Sequence, residues 1–182
     1  VGAGSWGTTI AHTLAAEAAV SLWARDVDVA TELATARTSR RMPGAVLHER
    51  VTVTADIEAV AVGADVVLIA VPTVGLRAVV AELAPSVAPG VPIVSLAKGF
   101  EPGTRLRMTE VLAEVAPGHP HAALTGPNLA REILDGHAAA SVIACEDDDV
   151  GRLLQEHLST ENFRVYRNTD VVGCELAGAL KN

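Results

Sequence analysis

Cysteine is scarce in these 182 residues. Cys145 and Cys174 stand alone, so no disulfide framework can form, and no CxxC or Cys/His spacing offers a metal site; both read as small, partly buried side chains. An excess of positive charge is missing as well. With 14 Lys and Arg against 22 Asp and Glu the formal charge is −8, which argues against nucleic acid or an anionic membrane as a partner while leaving room for a local basic pocket. No signal peptide and no apolar run of transmembrane length is visible, and a reduced cytoplasmic setting is expected. What is plentiful is small apolar side chain. At 49% hydrophobic the chain can bury one sizeable core, with length left for the start of a second domain.

The apolar residues come in short runs separated by helix-like stretches. The alanine-rich segment from Ser5 to about Ala18 reads as a helix, VSLW (Val20–Trp23) as a strand and VDVATELATA (Val27–Ala36) as a second helix. An arginine-rich loop, RTSRRMPG (Arg37–Gly44), leads to a short strand at Val51–Thr54. DVVLIAV (Asp65–Val71) is nearly all apolar, as a parallel strand covered on both faces should be. Helix at Gly75–Leu83, strand at Pro92–Ala97, helix at Thr104–Val115, and strands at His121–Pro127 and Ala140–Cys145 continue the alternation. FRVYR (Phe163–Arg167) alternates as an edge strand does. The acidic run Glu146–Asp149 reads as a cap on the next helix, where carboxylates oppose the macrodipole. This order predicts an α/β fold, a Rossmann-like doubly wound and mostly parallel sheet.

The glycine-rich opening, VGAGSWG, sharpens that expectation. Gly2, Gly4 and Gly7 occupy the three places of G-x-G-x-x-G. The first permits a tight turn, the second lets backbone approach a pyrophosphate, and the third allows close helix–strand packing. The helix N-terminus behind them offers free N–H groups to phosphate. Such a fingerprint normally follows a strand, and only Val1 precedes it here. The expectation is a sheet truncated at its first strand and a final apolar helix cut midway. On that reading residues 1–168 are the dinucleotide-binding domain and residues 169–182 begin an all-helical substrate domain.

Four further places carry candidate chemistry. At the end of VSLWARD, Arg25 and Asp26 stand side by side: an acidic residue there favours NAD through the ribose 2′-OH, an arginine favours NADP through the 2′-phosphate. A solvated charge pair is the plainer alternative. Lys98 follows a buried strand, at the carboxyl end where open α/β sheets bind ligands. Lys181 shares a helix face with Ala177 and Gly178, so little bulk bars a small substrate from its ammonium. Either lysine alone could be a surface residue. LTGPNLARE (Leu124–Glu132) places Gly126 and Asn128 at a turn into a helix, with an ordinary Asn cap as the alternative.

Taken together these motifs resemble the prokaryotic NAD(P)-dependent glycerol-3-phosphate dehydrogenase family. They are GAGSWGT at Gly2–Thr8, WARD at Trp23–Asp26, VPT at Val71–Thr73, KGFEPGT at Lys98–Thr104, GPNLAREI at Gly126–Ile133 and NTDVVGCELAGALKN at Asn168–Asn182. The resemblance implies reversible reduction of dihydroxyacetone phosphate to sn-glycerol 3-phosphate with NADPH or NADH, for glycerophospholipid synthesis. It implies cofactor contacts at Gly2, Gly4, Ser5, Trp6, Gly7, Arg25, Lys98 and Ala130, substrate contacts at Lys98, Gly126, Asn128 and Lys181, and Lys181 as the catalytic lysine. NADP is favoured because Arg25 comes first. Arg41 stands where the family has a tyrosine, which puts the cofactor contacts of that loop in doubt. The sequence leaves a homodimer of the full-length parent open.

Two other readings compete. A ketopantoate-reductase-like enzyme would share the Rossmann and helical domains, but the Lys-Gly-x-Glu and Gly-Pro-Asn segments count against it. A non-catalytic module sensing redox state would need neither lysine.

Overall fold

The computed structural model describes residues 1–39, 41–42 and 44–181. Arg40, Pro43 and Asn182, which fall within motifs read above, lie outside the described residues. Strands and helices alternate as the apolar runs predict: α1 (Ser5–Leu14), β1 (Val20–Trp23), α2 (Val27–Ala36), β2 (Val51–Thr54), β3 (Val67–Ile69), α3 (Thr73–Leu83), β4 (Ile93–Ser95), α4 (Met108–Val115), β5 (His121–Thr125), α5 (Ala130–Leu134), β6 (Ala139–Ala144), α6 (Asp148–Leu158), β7 (Phe163–Asn168) and α7 (Val171–Leu180).

Strand order is β3-β4-β5-β6-β7, parallel throughout except between β5 and β6. Successive residues of β4 show why the strands are apolar on both sides. Ile93 packs with Leu76, Val80 and Leu112 from α3 and α4, whereas Val94 joins Ile10, Leu154 and Phe163 on the opposite face. Helices therefore cover both faces, and the sheet is doubly wound. At the outer edge, β7 buries Phe163 and Val165 and exposes Arg164 and Tyr166, the alternation expected of an edge strand.

β1 and β2 form a two-stranded parallel piece beside the larger sheet. Val1 and Gly2 lie between it and the larger sheet: the Val1 nitrogen donates to Leu68 O (2.7 Å), Ala70 N donates to Val1 O (2.8 Å) and Gly2 N to Trp23 O (3.0 Å). Beyond that short bridge a cavity of about 390 Å³ separates β1 from β3, walled by aliphatic side chains such as Leu14, Val20 and Leu68.

Helix starts follow local side-chain chemistry. Asp26 caps α2 by accepting from Asp28 N (2.9 Å) and Val29 N (3.2 Å), and Asp147 caps α6 in the same way. The acidic run at 146–149 thus serves as a cap, as its position suggests. α4 begins at Met108 rather than at Thr104. Arg105 has φ 63°, outside the helical region, and the Glu110 carboxylate, accepting from the Arg107 backbone N–H (2.8 Å), sets the first turn. Among the described residues no helix is long and apolar enough to cross a membrane, and no cluster of His, Cys, Asp or Glu could hold a metal ion.

Candidate functional site

The glycine turn divides its labour in the way the spacing predicts. Gly2 has φ +105°, and a Cβ there would lie 2.8 Å from Ala70 O. A Cβ on Gly7 would run into the Gly2 carbonyl and approach Ala70 Cβ to 2.9 Å, so α1 can sit this close to the sheet only without a side chain. Gly4 is different: nothing lies within 4 Å of its missing Cβ. The space is open to a ligand, and no side chain caps the helix that starts at Ser5. Uncapped N–H groups and the positive end of the dipole therefore face that space.

A cleft of about 590 Å³ begins at this turn. Gly2, Gly4, Ser5 and Trp6 form one wall, and Arg25, Asp26 and Arg41 another, with Leu96 between. Gly7 is absent from the lining because its task is packing. Asp26 uses Oδ1 in the α2 cap, and the Arg25 guanidinium is exposed and makes no hydrogen bond or ion pair among the described residues. Arg41, left in doubt by the sequence, reaches the cleft because its loop is anchored on α1. Ser39 bridges Met42, and buried Met42 places its sulfur 3.9 Å from Thr9 Oγ1.

Leu96 leads into the second part of the site, two residues before Lys98. The chain's two lysines converge there. Lys98 is half-buried and donates to Gly126 O at 2.6 Å. Burial first, and the Lys181 charge second, push its ammonium below the usual lysine range. Lys181 is exposed at the C-terminal cap of α7. That helix approaches so closely because Gly178 faces β5: a Cβ there would lie 2.7 Å from Thr125 Oγ1 and 3.9 Å from Lys98 Cγ.

Gly126 itself is crowded, with Ala140 O 2.8 Å from where its Cβ would stand. Asn128 does not cap α5; Leu129 holds that place, and the Asn128 amide donates to Ser141 Oγ at 2.5 Å. Its carbonyl oxygen is thereby oriented rather than consumed by the helix. Ala130 opens α5, which packs on α1, and is not among the residues that line the cleft. Gly2, Gly4, Ser5, Trp6 and Arg25 thus share the cleft, and Lys98, Gly126 and Lys181 gather beyond it.

The loop carrying Lys98 is held from behind. Arg77 grips Glu101 through two hydrogen bonds (2.7 and 2.8 Å), and Thr104 Oγ1 donates to the same carboxylate at 2.6 Å. Those bonds, Arg77 foremost and Thr104 second, hold the Glu101 carboxyl down to about 2 against the opposing effect of burial. The sequence showed Glu101 within KGFEPGT but gave no sign of its partner.

Comparisons with known proteins point to one family. A family model described as NAD-dependent glycerol-3-phosphate dehydrogenase N-terminus matches residues 1–151. The chain is 46% identical over 183 residues to glycerol-3-phosphate dehydrogenase [NAD(P)+] 2 of Sphingopyxis alaskensis, covering all of this chain and 55% of that protein. It is 44% identical over 184 residues to the glycerol-3-phosphate dehydrogenase [NAD(P)+] of Mycobacterium avium, again over all of this chain and 54% of the other. Among solved structures, glycerol-3-phosphate dehydrogenase from Coxiella burnetii superposes with a TM-score of 0.91 at 32% identity, covering 97% of this chain and 55% of that one. The chain spans about half the length of the curated relatives it matches.

Proposed function

Because the chain belongs to the NAD-dependent glycerol-3-phosphate dehydrogenase family, we propose that it supplies the dinucleotide cleft and the lysine pair of an enzyme that reversibly reduces dihydroxyacetone phosphate to sn-glycerol 3-phosphate. That product is the backbone of glycerophospholipids. One observation carries the reading: Lys98 and Lys181, from distant parts of the sequence, lie near enough for one charge to act on the other, and Lys98 stands two residues past Leu96, which lines a cleft that starts from an uncapped helix N-terminus.

The residues present fit a nicotinamide dinucleotide. Gly4 leaves room for a pyrophosphate, the first turn of α1 offers N–H donors, and Arg25 is free to pair with a 2′-phosphate. When bound, the reduced cofactor supplies hydride to the ketone carbon. The alkoxide oxygen then needs positive charge and a proton. Lys98, fixed on Gly126 O, orients the substrate and stabilises the developing charge. Lys181 gives the proton in reduction and takes it back in oxidation. Gly126 and Asn128 line the substrate side, and Ser5, Trp6, Arg25 and Ala130 hold the cofactor. A helical domain beginning at residue 169 completes the substrate site.

A single assay tests both the substrate and the cofactor reading. A protein of the relatives' full length that carries this chain should oxidise NADPH on addition of dihydroxyacetone phosphate and not on addition of ketopantoate. Arg25→Ala in that protein should raise KM for NADPH by about tenfold or more, the scale of a lost charge-assisted pair, and change KM for NADH little. Equal changes for the two cofactors would remove Arg25 from the 2′-phosphate site, and turnover of ketopantoate alone would reassign the substrate.

A further inference from the structure

Glu175 is a carboxylate on α7 that none of the foregoing chemistry uses, and its side chain is only 7% exposed. A charge so buried is costly unless it is paired and fully hydrogen-bonded. Here every donor comes from the start of α4. Thr109 N donates to Glu175 Oε1 (3.0 Å), and Thr109 Oγ1 (2.6 Å) and the Arg107 guanidinium (2.8 Å) donate to Oε2. Arg107 is pinned in turn by Glu110, whose carboxylate accepts from the Arg107 backbone N–H (2.8 Å) and pairs with its guanidinium (3.0 Å).

The segment between Lys98 and Arg107 is closed on itself. Phe100 bridges Arg107, Glu101 N donates to Leu106 O (2.9 Å) and Arg105 N donates to Glu101 O (3.0 Å). One connected path therefore runs from Lys98 through this loop to Arg107, across to Glu175, and along α7 to Lys181. Elsewhere α7 is held by close packing, with Gly178 against Thr125 and Lys98 on the β5 side. Its buried positions are Val171, Glu175 and Gly178, while Val172, Leu176 and Leu180 are exposed. Close packing at Gly178 sets how near α7 comes to β5, and three hydrogen bonds to the Glu175 carboxylate add a directional tie between α7 and the start of α4.

We propose that Glu175 is a positioning residue: by clamping α7 onto Arg107 and Thr109 it sets the spacing between the Lys98 and Lys181 ammoniums. The inference rests on the two-lysine reading above. It requires that loss of the clamp lower kcat without touching the cofactor cleft.

The test uses the full-length protein and three variants. Glu175→Leu combined with Arg107→Met replaces the ion pair by apolar groups, an exchange that such sites tolerate in stability. Tm should stay near the wild-type value and NADPH affinity should hold, while kcat falls on the order of tenfold to a hundredfold, the scale of a small misplacement of a reacting group. Thr109→Val, a milder change that keeps the ion pair, should lower kcat by several-fold at unchanged NADPH affinity. Glu175→Gln, which can still accept from Thr109 N, should keep more of kcat than the Leu variant. A double variant with wild-type Tm and wild-type kcat would overturn the proposal. So would an unchanged kcat in Thr109→Val, which decides the matter if the double variant does not fold. A wild-type protein with no turnover of dihydroxyacetone phosphate overturns the two-lysine reading itself, a result distinct from any difference among variants.

Discussion

Lys181→Met in the full-length protein should lower kcat for dihydroxyacetone phosphate reduction by about three orders of magnitude, within the range that a positioned acid contributes. NADPH affinity should barely change. Met keeps the length and the apolar stem of lysine and removes the ammonium, so α7 has no reason to move. The cofactor cleft is walled by Gly2, Gly4, Ser5, Trp6, Arg25 and Arg41, and Lys181 is not among its lining residues. The same variant has a second signature. Lys98 sits below the usual lysine range through burial first and the Lys181 charge second. Removing that charge leaves only burial, so the Lys98 pKa should rise and its ammonium should persist to higher pH. Fluorescence titration with NADPH, steady-state kinetics and the alkaline limb of the residual activity measure all three. A Met variant within tenfold of wild type would take the acid role away from Lys181.

Lys98→Ala should cost roughly two orders of magnitude in kcat/KM, the scale of losing one preorganised charge-stabilising donor. The reasoning begins with the loop. Arg77 and Thr104 hold Glu101, three residues past Lys98, and Gly99 takes φ +133°, a conformation that side-chain-bearing residues rarely adopt. The ammonium is therefore placed by the fold before any substrate arrives. Ala removes the charge and also frees the Gly126 carbonyl, and it leaves the glycine turn intact. NADPH affinity should consequently fall far less than kcat/KM. An activity near wild type would make Lys98 a buried structural cation.

Much of this architecture is visible in the sequence, for physical reasons that differ from element to element. A strand covered on both faces has no polar position to spare, so Val67–Ile69 and Ile93–Ser95 stand out as apolar runs. The glycine turn stands out because backbone crowding at Gly2 and Gly7 admits no side chain. The Asp26 cap is equally local and could have been read from Asp-Val-Asp-Val.

What the sequence hides is long-range pairing. Glu175 and Thr109 lie 66 positions apart, and nothing near either one announces the other. Arg77 and Glu101 are a similar case. The start of α4 was masked by a helix-compatible string, TRLRMTEV, in which Arg105 adopts φ 63° and delays the helix to the Arg107 cap. Arg41 reads as a departure from a family motif, and only the anchoring of Met42 on α1 places it on the cleft wall.

Isotope transfer tests the central claim most directly. The full-length protein is given NADPH carrying deuterium on the transferable face of nicotinamide C4, together with dihydroxyacetone phosphate, and the product is examined by mass spectrometry and NMR. If this cleft and these lysines carry out hydride transfer to the ketone carbon, sn-glycerol 3-phosphate should appear with one deuterium at C2, and Lys181→Met should remove that labelled product while NADPH remains bound. Product lacking the label, or labelled product formed at an undiminished rate by the Met variant, would contradict the account.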